Sequence, residues 1–399
     1  MKIAVIFDAE TGAGGGYFQS LKSALLLKKL ENNSINFSYI TPHNQTFTKL
    51  KNEKLNTIFF KDILLTRIFY QLSQSYFCQI FLSLFKFKNP FVKFLKKNNF
   101  DFVIFLGPSW FIKVCDGYNF ISSTYDINFK LDNYFPEYES SRLFESKNLI
   151  VKKSVNRAFK ILVDTERSKK ELMKLYNCPE KKIVVQAFTP SLPSAEKNID
   201  KQKVISDLGL ENKKFLFYPA RFWSHKNHKY IIDAIKILDK KKYDINIVFC
   251  GSASDKDNLD YIKKKISDNG LNNYFFIYNF ITDEEVTVLY KNCAALVMPT
   301  YVARSTLPLY EAFYFKTPVF YSKGVLDEKL EKLVTPIDLN DPQDLSDKIS
   351  DLLTDKLETA DKVNSALKYY NENCSEAVFL NNYKKIIDDY IYLSQRWKK

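Results

Sequence analysis

Two clusters in this 399-residue chain carry side chains that could manage a phosphate group and a polyol. The first is Tyr218-Pro-Ala-Arg221-Phe-Trp-Ser-His-Lys226-Asn-His228. Arginine offers phosphate oxygens a planar fork, and lysine offers a compact point charge. Two such cations, with helix N-termini nearby, can stabilise a departing diphosphate without a metal. A pair of solvated surface cations would give the same letters. The second cluster is Pro299-Thr-Tyr-Val-Ala-Arg-Ser-Thr-Leu-Pro-Leu-Tyr-Glu311. Ser305 and Thr306 stand where a helix N-cap belongs, and Pro308 suits the first helical turn. A helix start exposes backbone N–H groups and a positive dipole end, a ready anion site that the backbone of Ser305, Thr306 and Leu307 could provide. Glu311 reads as a first-turn residue. It either stabilises the helix dipole or accepts hydrogen bonds from sugar or ribose hydroxyls.

These side chains need strand–loop–helix units to hold them. Cys293-Ala-Ala-Leu-Val-Met298 reads as a buried parallel strand leading into the second cluster, and Lys214-Phe-Leu-Phe-Tyr218 as one leading into the first. A third unit opens the chain: a strand over 2–7, then a loop with Gly12, Gly14, Gly15 and Gly16, then a helix over about 17–31. Glycines here are either a flexible turn or a place where backbone comes close to a phosphate or sugar. Their spacing does not give G-x-G-x-x-G, and the strand near 35–41 ends without an acid for a ribose, so the dinucleotide reading is weak. His225 and His228 lack the companions of a metal site. Asp255-Lys-Asp257 is explained better by helix capping than by a metal pair.

The composition, 46% hydrophobic and 26% charged, is that of a globular chain, and the length suggests two domains. Six scattered cysteines form no C-x-x-C pair, which points to a reducing compartment without structural disulfides. An acid at Asp8 interrupts the apolar start too early for a secretory leader, and no apolar run reaches membrane-span length. The net charge of +13 favours anionic partners. From Ile63 to Phe100 there is no acidic residue, while Phe, Tyr and Lys abound. That stretch reads either as amphipathic helix at an anionic membrane surface or as core-facing helix with solvated lysines.

Strands and helices alternate in both halves, with a Pro/Ser-rich linker at 188–196. The expected fold class is therefore α/β: two doubly wound Rossmann-like domains facing a cleft. The boundaries read as 1–192 and 193–374, with a C-terminal helix at 375–399 packing back on the first domain.

The motifs Tyr218-Pro-Ala-Arg-Phe-Trp-Ser-His-Lys-Asn-His, Gly251, Tyr278-Asn-Phe-Ile-Thr-Asp-Glu-Glu-Val-Thr-Val-Leu-Tyr290, Leu296-Val-Met-Pro-Thr300, Leu307-Pro-Leu-Tyr-Glu-Ala-Phe313 and Thr317-Pro-Val319 occur in the order seen in glycosyltransferase family 4. Together they resemble the donor-binding domain of these retaining enzymes of GT-B fold. The glycine loop, Asp126 with Phe135-Pro-Glu137, and Val163-Asp-Thr-Glu-Arg-Ser-Lys-Lys170 resemble the family's N-terminal half more loosely. The resemblance implies that Arg221 and Lys226 bind the donor diphosphate and that Glu311 holds ribose hydroxyls. It implies that Ser305, Thr306 and Leu307 cradle phosphate or sugar, that Gly14, Gly15 and Gly16 approach from the other domain, and that Asp126 serves the sugar or acceptor side. It further implies retention without a metal or other cofactor, and domain closure that excludes water. The chain departs from the pattern twice. Ala303 stands where the first of two paired glutamates belongs, and Tyr125 where a histidine precedes the aspartate.

The expected activity is transfer of a sugar from a nucleotide-sugar donor to a saccharide acceptor, lipid-linked, in bacterial O-antigen or capsule assembly. The expected place is the cytoplasm, at the inner face of the plasma membrane, with no nucleic-acid partner. Two rivals stay open: a nucleotide-sugar epimerase of the same fold, and a non-catalytic scaffold binding nucleotide or lipid.

Overall fold

The computed structural model describes residues 1–11, 14–75, 77, 84, 87–138, 140–190, 199–238, 243–252, 256–303 and 306–396. The chain folds as two compact units. The first holds residues 1–131, 140–189 and 376–399; the second holds 132–139 and 190–375.

The first unit is built on a seven-stranded sheet. Its strands are β1 (Lys2–Ile6), β2 (Asn36–Thr41), β3 (Thr57–Phe59), β4 (Phe102–Phe105), β5 (Phe120–Ser123), β6 (Lys160–Val163) and β7 (Ile183–Val185). They lie in the order β3-β2-β1-β4-β5-β6-β7 with parallel pairings. The central strands are buried on both faces, so they are apolar runs without alternation: Ala4, Val5 and Ile104 are fully enclosed. The long helix Glu376–Gln395 returns to this unit and lays Phe379, Tyr383, Ile386, Ile387 and Tyr390 into the core beside Ile3, Val5, Phe102 and Ile104. Tyr390 stacks on Phe102 with ring centres 4.1 Å apart, and its hydroxyl donates to the Asp101 carbonyl at 3.2 Å.

The second unit carries β8 (Phe215–Pro219), β9 (Asn246–Cys250), β10 (Phe275–Tyr278), β11 (Ala295–Met298), β12 (Val319–Ser322) and β13 (Thr335–Ile337). Their order is β10-β9-β8-β11-β12-β13, again parallel. Both sheets have the doubly wound form expected from the alternation of elements. In each, the strand order turns back beside the first strand, between β1 and β4 and between β8 and β11. Ligands of such sheets collect at the carboxyl ends of those strands.

Among the elements that escape a sequence reading are the helix Asn44–Asn52, the short helices Asn128–Leu131, Lys201–Asp207 and Glu328–Glu331, and the edge strands β3 and β13. The strands are three residues each, too short for a period, and β13 contains Pro336, tolerated because an edge strand need not donate on its outer side. The basic aromatic stretch divides. Pro90–Lys97 buries Phe91, Val92 and Leu95, with Phe91 packed 4.6 Å from Phe111, so this helix belongs to the core. Ile63–Leu72 buries only Thr66 and leaves Leu64, Leu65, Ile68 and Leu72 exposed. Residues 76, 78–83, 85 and 86 of the stretch lie outside the described residues. Among the described residues no helix is long and apolar enough to cross a membrane.

The covering helix yields a test. Tyr390→Ala removes a ring from a packed core and should cost roughly 3–5 kcal/mol. Hydrogen exchange should then speed up in β1 and β4, while peptides of the second sheet keep their protection.

Candidate functional site

The loop between β8 and the helix His228–Ile237 carries Arg221 and Lys226. It is pinned from every side. Gly251, just past β9, passes so close that a Cβ there would come within 2.1 Å of the Ala220 carbonyl oxygen. Asn258 Nδ2 donates to the Phe222 carbonyl at 2.7 Å, and the Tyr218 hydroxyl donates to the Lys226 carbonyl at 2.7 Å. The His225 carbonyl accepts from Thr300 Oγ1 at 3.2 Å and from the Tyr301 N–H at 3.0 Å. Those two bonds fasten this loop to the one that follows β11. The Arg221 guanidinium lies 5.0 Å from the centre of the Trp223 ring. Burial presses its pKa down, yet a guanidinium stays charged. His228 is a structural residue, enclosed by Tyr218, Phe222 and Phe249, and burial first of all holds its pKa near 3.

After β11 the chain runs to the helix Leu307–Phe315. Thr306 caps it, its Oγ1 accepting from the Leu309 N–H at 3.2 Å, with Pro308 in the first turn as its shape requires. Ser305 lies outside the described residues. Ala303 is buried, and its carbonyl accepts from the Tyr321 hydroxyl at 2.6 Å. This position therefore supplies a backbone anchor and no carboxylate.

Glu311 is not in the first helical turn. With Thr306 as N-cap it is the fifth helical residue, so dipole stabilisation is not its role. Its Oε2 accepts from the Tyr290 hydroxyl at 2.8 Å. Burial raises its pKa to about 7, against the lowering effect of the Tyr290 hydrogen bond and with a smaller rise from Asp283. The sequence reading placed the helix start one residue late, at Pro308, and could not see Tyr290 arriving from the preceding helix, Asp283–Asn292.

Residues 132–138 form a strap on this unit. Glu137 Oε1 accepts from the His225 N–H at 3.3 Å and lies 3.3 Å from His225 Nδ1. Burial raises the Glu137 pKa, but the His225 contacts outweigh it and leave the carboxyl below its usual range. Phe135 meets Tyr301 at 5.6 Å and Tyr138 stacks over His225 at 5.9 Å. The sequence marked Phe135-Pro-Glu137 but gave no sign of its partner, 88 residues on.

In the first unit, Gly14 has φ 76°, a left-handed conformation that requires glycine, and it leads into the helix Gly15–Lys28. A Cβ at Gly16 would meet nothing within 4 Å. Gly12 lies outside the described residues. Asp126 is exposed, and its Oδ1 accepts from the Asn128 N–H at 3.2 Å. Tyr125 donates its hydroxyl to the Leu106 carbonyl, and burial pushes its pKa up. Asp8, past β1, gathers neighbours that sequence gave no reason to join. Its carboxylate accepts from Ser109 Oγ at 2.8 Å and the Trp110 N–H at 3.1 Å, and lies 3.2 Å from His43 Nε2. Of the acidic pair considered as metal ligands, Asp255 lies outside the described residues and Asp257 sits in the first turn of Lys256–Asp268.

Residues 200–371 match the family model described as Glycosyl transferases group 1. No curated protein matches the sequence. Among solved structures, a glycosyltransferase from Rickettsia africae matches with a TM-score of 0.68 at 18% identity, covering 97% of this chain and 98% of that one. HepE from Anabaena in complex with UDP-glucose gives 0.72 at 14% identity, covering 98% and 100%. The lipopolysaccharide outer core galactosyltransferase WaaB gives 0.63 at 15% identity, covering 98% and 100%. Such identities speak to fold alone. The chain thus has the GT-B fold of these glycosyltransferases, and its second unit matches the glycosyl transferases group 1 family, which supports sugar transfer as the chemistry of the site.

Proposed function

We propose that the protein is a retaining glycosyltransferase of the family 4 type, moving a sugar from a nucleotide donor to a saccharide acceptor without a metal ion. The observation that carries this reading is the fastening of the Arg221–Lys226 loop to the loop after β11, at the sheet end where the strand order turns back. Arg221 and Lys226 hold the donor diphosphate and take up the charge that grows on it as the bond to the sugar breaks. The backbone of Thr306 and Leu307, at the start of the capped helix, meets phosphate or sugar oxygens, a role the resemblance gives to Ser305 as well. Glu311 accepts from ribose hydroxyls. Gly14, Gly15 and Gly16 allow close approach of backbone, and Asp126 serves the sugar or acceptor side. With Ala303 in place of a glutamate, sugar recognition falls to other groups. The HepE structures, solved with UDP-glucose and with UDP and glucose, make a uridine nucleotide the first donor to test. WaaB's role in lipopolysaccharide supports a lipid-linked acceptor in bacterial surface polysaccharide assembly. The exposed apolar face of Ile63–Leu72 and the net charge of +13 support work at an anionic membrane surface.

The deciding experiment is thermal stability against a panel of UDP-, GDP-, dTDP- and CMP-sugars. A ligand at about 100 times its dissociation constant should add roughly 2.7 kcal/mol to the folded state. One nucleotide class should give that gain, and Arg221→Ala or Lys226→Ala should abolish it. A flat panel would count against the transferase reading and in favour of a scaffold.

Glu311 adds a pH signature. Ribose hydroxyls donate to the ionised carboxylate, so donor affinity should rise with pH up to about 7 and level off above it. In Glu311→Gln that dependence should vanish. The unliganded fold should behave oppositely. A carboxyl whose pKa rises on folding from 4.5 to about 7 keeps a proton that the unfolded chain releases. Its contribution is complete below pH 4.5 and is lost as pH climbs to about 7. Denaturant melts of the wild type, compared with Glu311→Gln, should show a loss on the order of 3 kcal/mol across that window.

A further inference from the structure

The first unit contains a cavity of about 530 Å³ that none of the proposed donor-site residues lines. It opens between the helix Ile63–Leu72, the turn Trp110–Val114 and the helix Ser141–Arg157. Arg67, Lys113, Arg142 and Lys152 line it against a single acid, Glu145. Among the described residues none of these five takes part in an ion pair, unlike Lys153, which reaches Asp116 from the same helix.

Lys113 is the telling member. It is only 6% exposed, and its Nζ donates to a neutral acceptor, Ser146 Oγ, at 2.7 Å. A buried ammonium without a counter-charge destabilises a fold. Burial accordingly pushes its pKa down. Folding alone would be served better by an apolar residue, whereas an anion in the cavity would compensate the charge. The lining also holds aromatic rings, Trp110 on the same turn as Lys113 and Tyr70 on the helix Ile63–Leu72. Trp110 carries the Arg67 guanidinium 5.8 Å from its ring centre, with Tyr70 edge-on at 5.5 Å. The Trp110 N–H is fixed by Asp8, so this part of the lining is anchored to the end of β1. Aromatic faces accept the C–H face of a sugar ring, and a guanidinium or ammonium accepts a phosphate or carboxylate. Both chemistries meet in one cavity of small-molecule size.

We propose that this cavity binds an anionic saccharide, its phosphate or carboxylate held by Lys113, Arg67 and Arg142 and its ring set against Trp110 and Tyr70. The identification of that saccharide with the acceptor rests on the transferase reading; the binding itself does not.

The test is calorimetric titration of the full chain with glucose 1-phosphate, glucuronate, glucose and inorganic phosphate. An anionic sugar should bind measurably, and more tightly than either neutral glucose or inorganic phosphate. The tighter of glucose 1-phosphate and glucuronate identifies the anionic group. Lys113→Met and Arg142→Ala should each weaken that binding about tenfold or more, as loss of a charge-assisted hydrogen bond does. Arg142 is exposed, so its variant reads out even where Lys113→Met fails to fold. No binding by either anionic sugar would overturn the proposal. So would binding that both cavity variants leave intact but Arg221→Ala removes, because the anion would then sit in the second unit. The nucleotide panel reports on that second unit separately. A flat panel beside an intact cavity response would remove the transferase reading and leave the cavity standing.

Discussion

The carbonyl oxygen of His225 accepts from both Thr300 Oγ1 and the Tyr301 N–H, and on that shared acceptor the geometry of the second unit depends. It ties the loop after the first strand of the sheet to the loop after the strand on its other side. It adds to the β8–β11 pairing a direct link between the loop of the cations and the loop that leads to the capped helix. Gly251 makes the arrangement tighter still, because only a residue without Cβ lets β9 end against Ala220. Positions so fixed need little reorganisation when a charge develops nearby, which is the condition under which a few dipoles and cations have a large effect.

The strap of residues 132–138 follows from the same constraint. His225 is almost wholly buried, and its ring would otherwise stand at the surface of the loop. Tyr138 stacks on it, Phe135 meets it in an edge-to-face contact, and Glu137 accepts from its backbone N–H. A segment that sequence order assigns to the first half of the chain thereby finishes a loop of the second. The strap belongs to the second unit although it precedes the Pro/Ser-rich linker of the sequence.

What the sequence discloses here follows from what is local. The strand–loop–helix units around Arg221 and Thr306 show themselves because an apolar run, a polar loop and a capping residue are contiguous. Glu311 stands out in the sequence as a carboxylate of interest, but its place in the helix depends on whether the helix begins at Leu307 or Pro308, a difference of one residue. Its raised pKa depends on burial and on Tyr290, neither of which is local. Glu137 with His225, and Asp8 with His43 and Ser109, are pairs made by topology across tens of residues. The basic aromatic stretch was ambiguous for a further reason: a lysine-bearing amphipathic helix looks alike whether its apolar face meets a core or stays uncovered. Pro90–Lys97 and Ile63–Leu72 turn out to be one of each.

The cations of the chain also differ in how they are held. Arg221 lies against Trp223, and the backbone of Lys226 is fixed through its own carbonyl, so the loop that carries both cations is held before any ligand arrives. Lys113 is held by its own ammonium, but at a cost, because among the described residues its burial is matched by a hydroxyl and no carboxylate. Replacing such a residue with a hydrophobic one commonly leaves a protein as stable or more so. Stability therefore offers no reason for a lysine at that position, and packing offers none either, since a methionine would fill similar space. What remains is the property that distinguishes it from methionine, a positive charge facing a cavity with an aromatic wall.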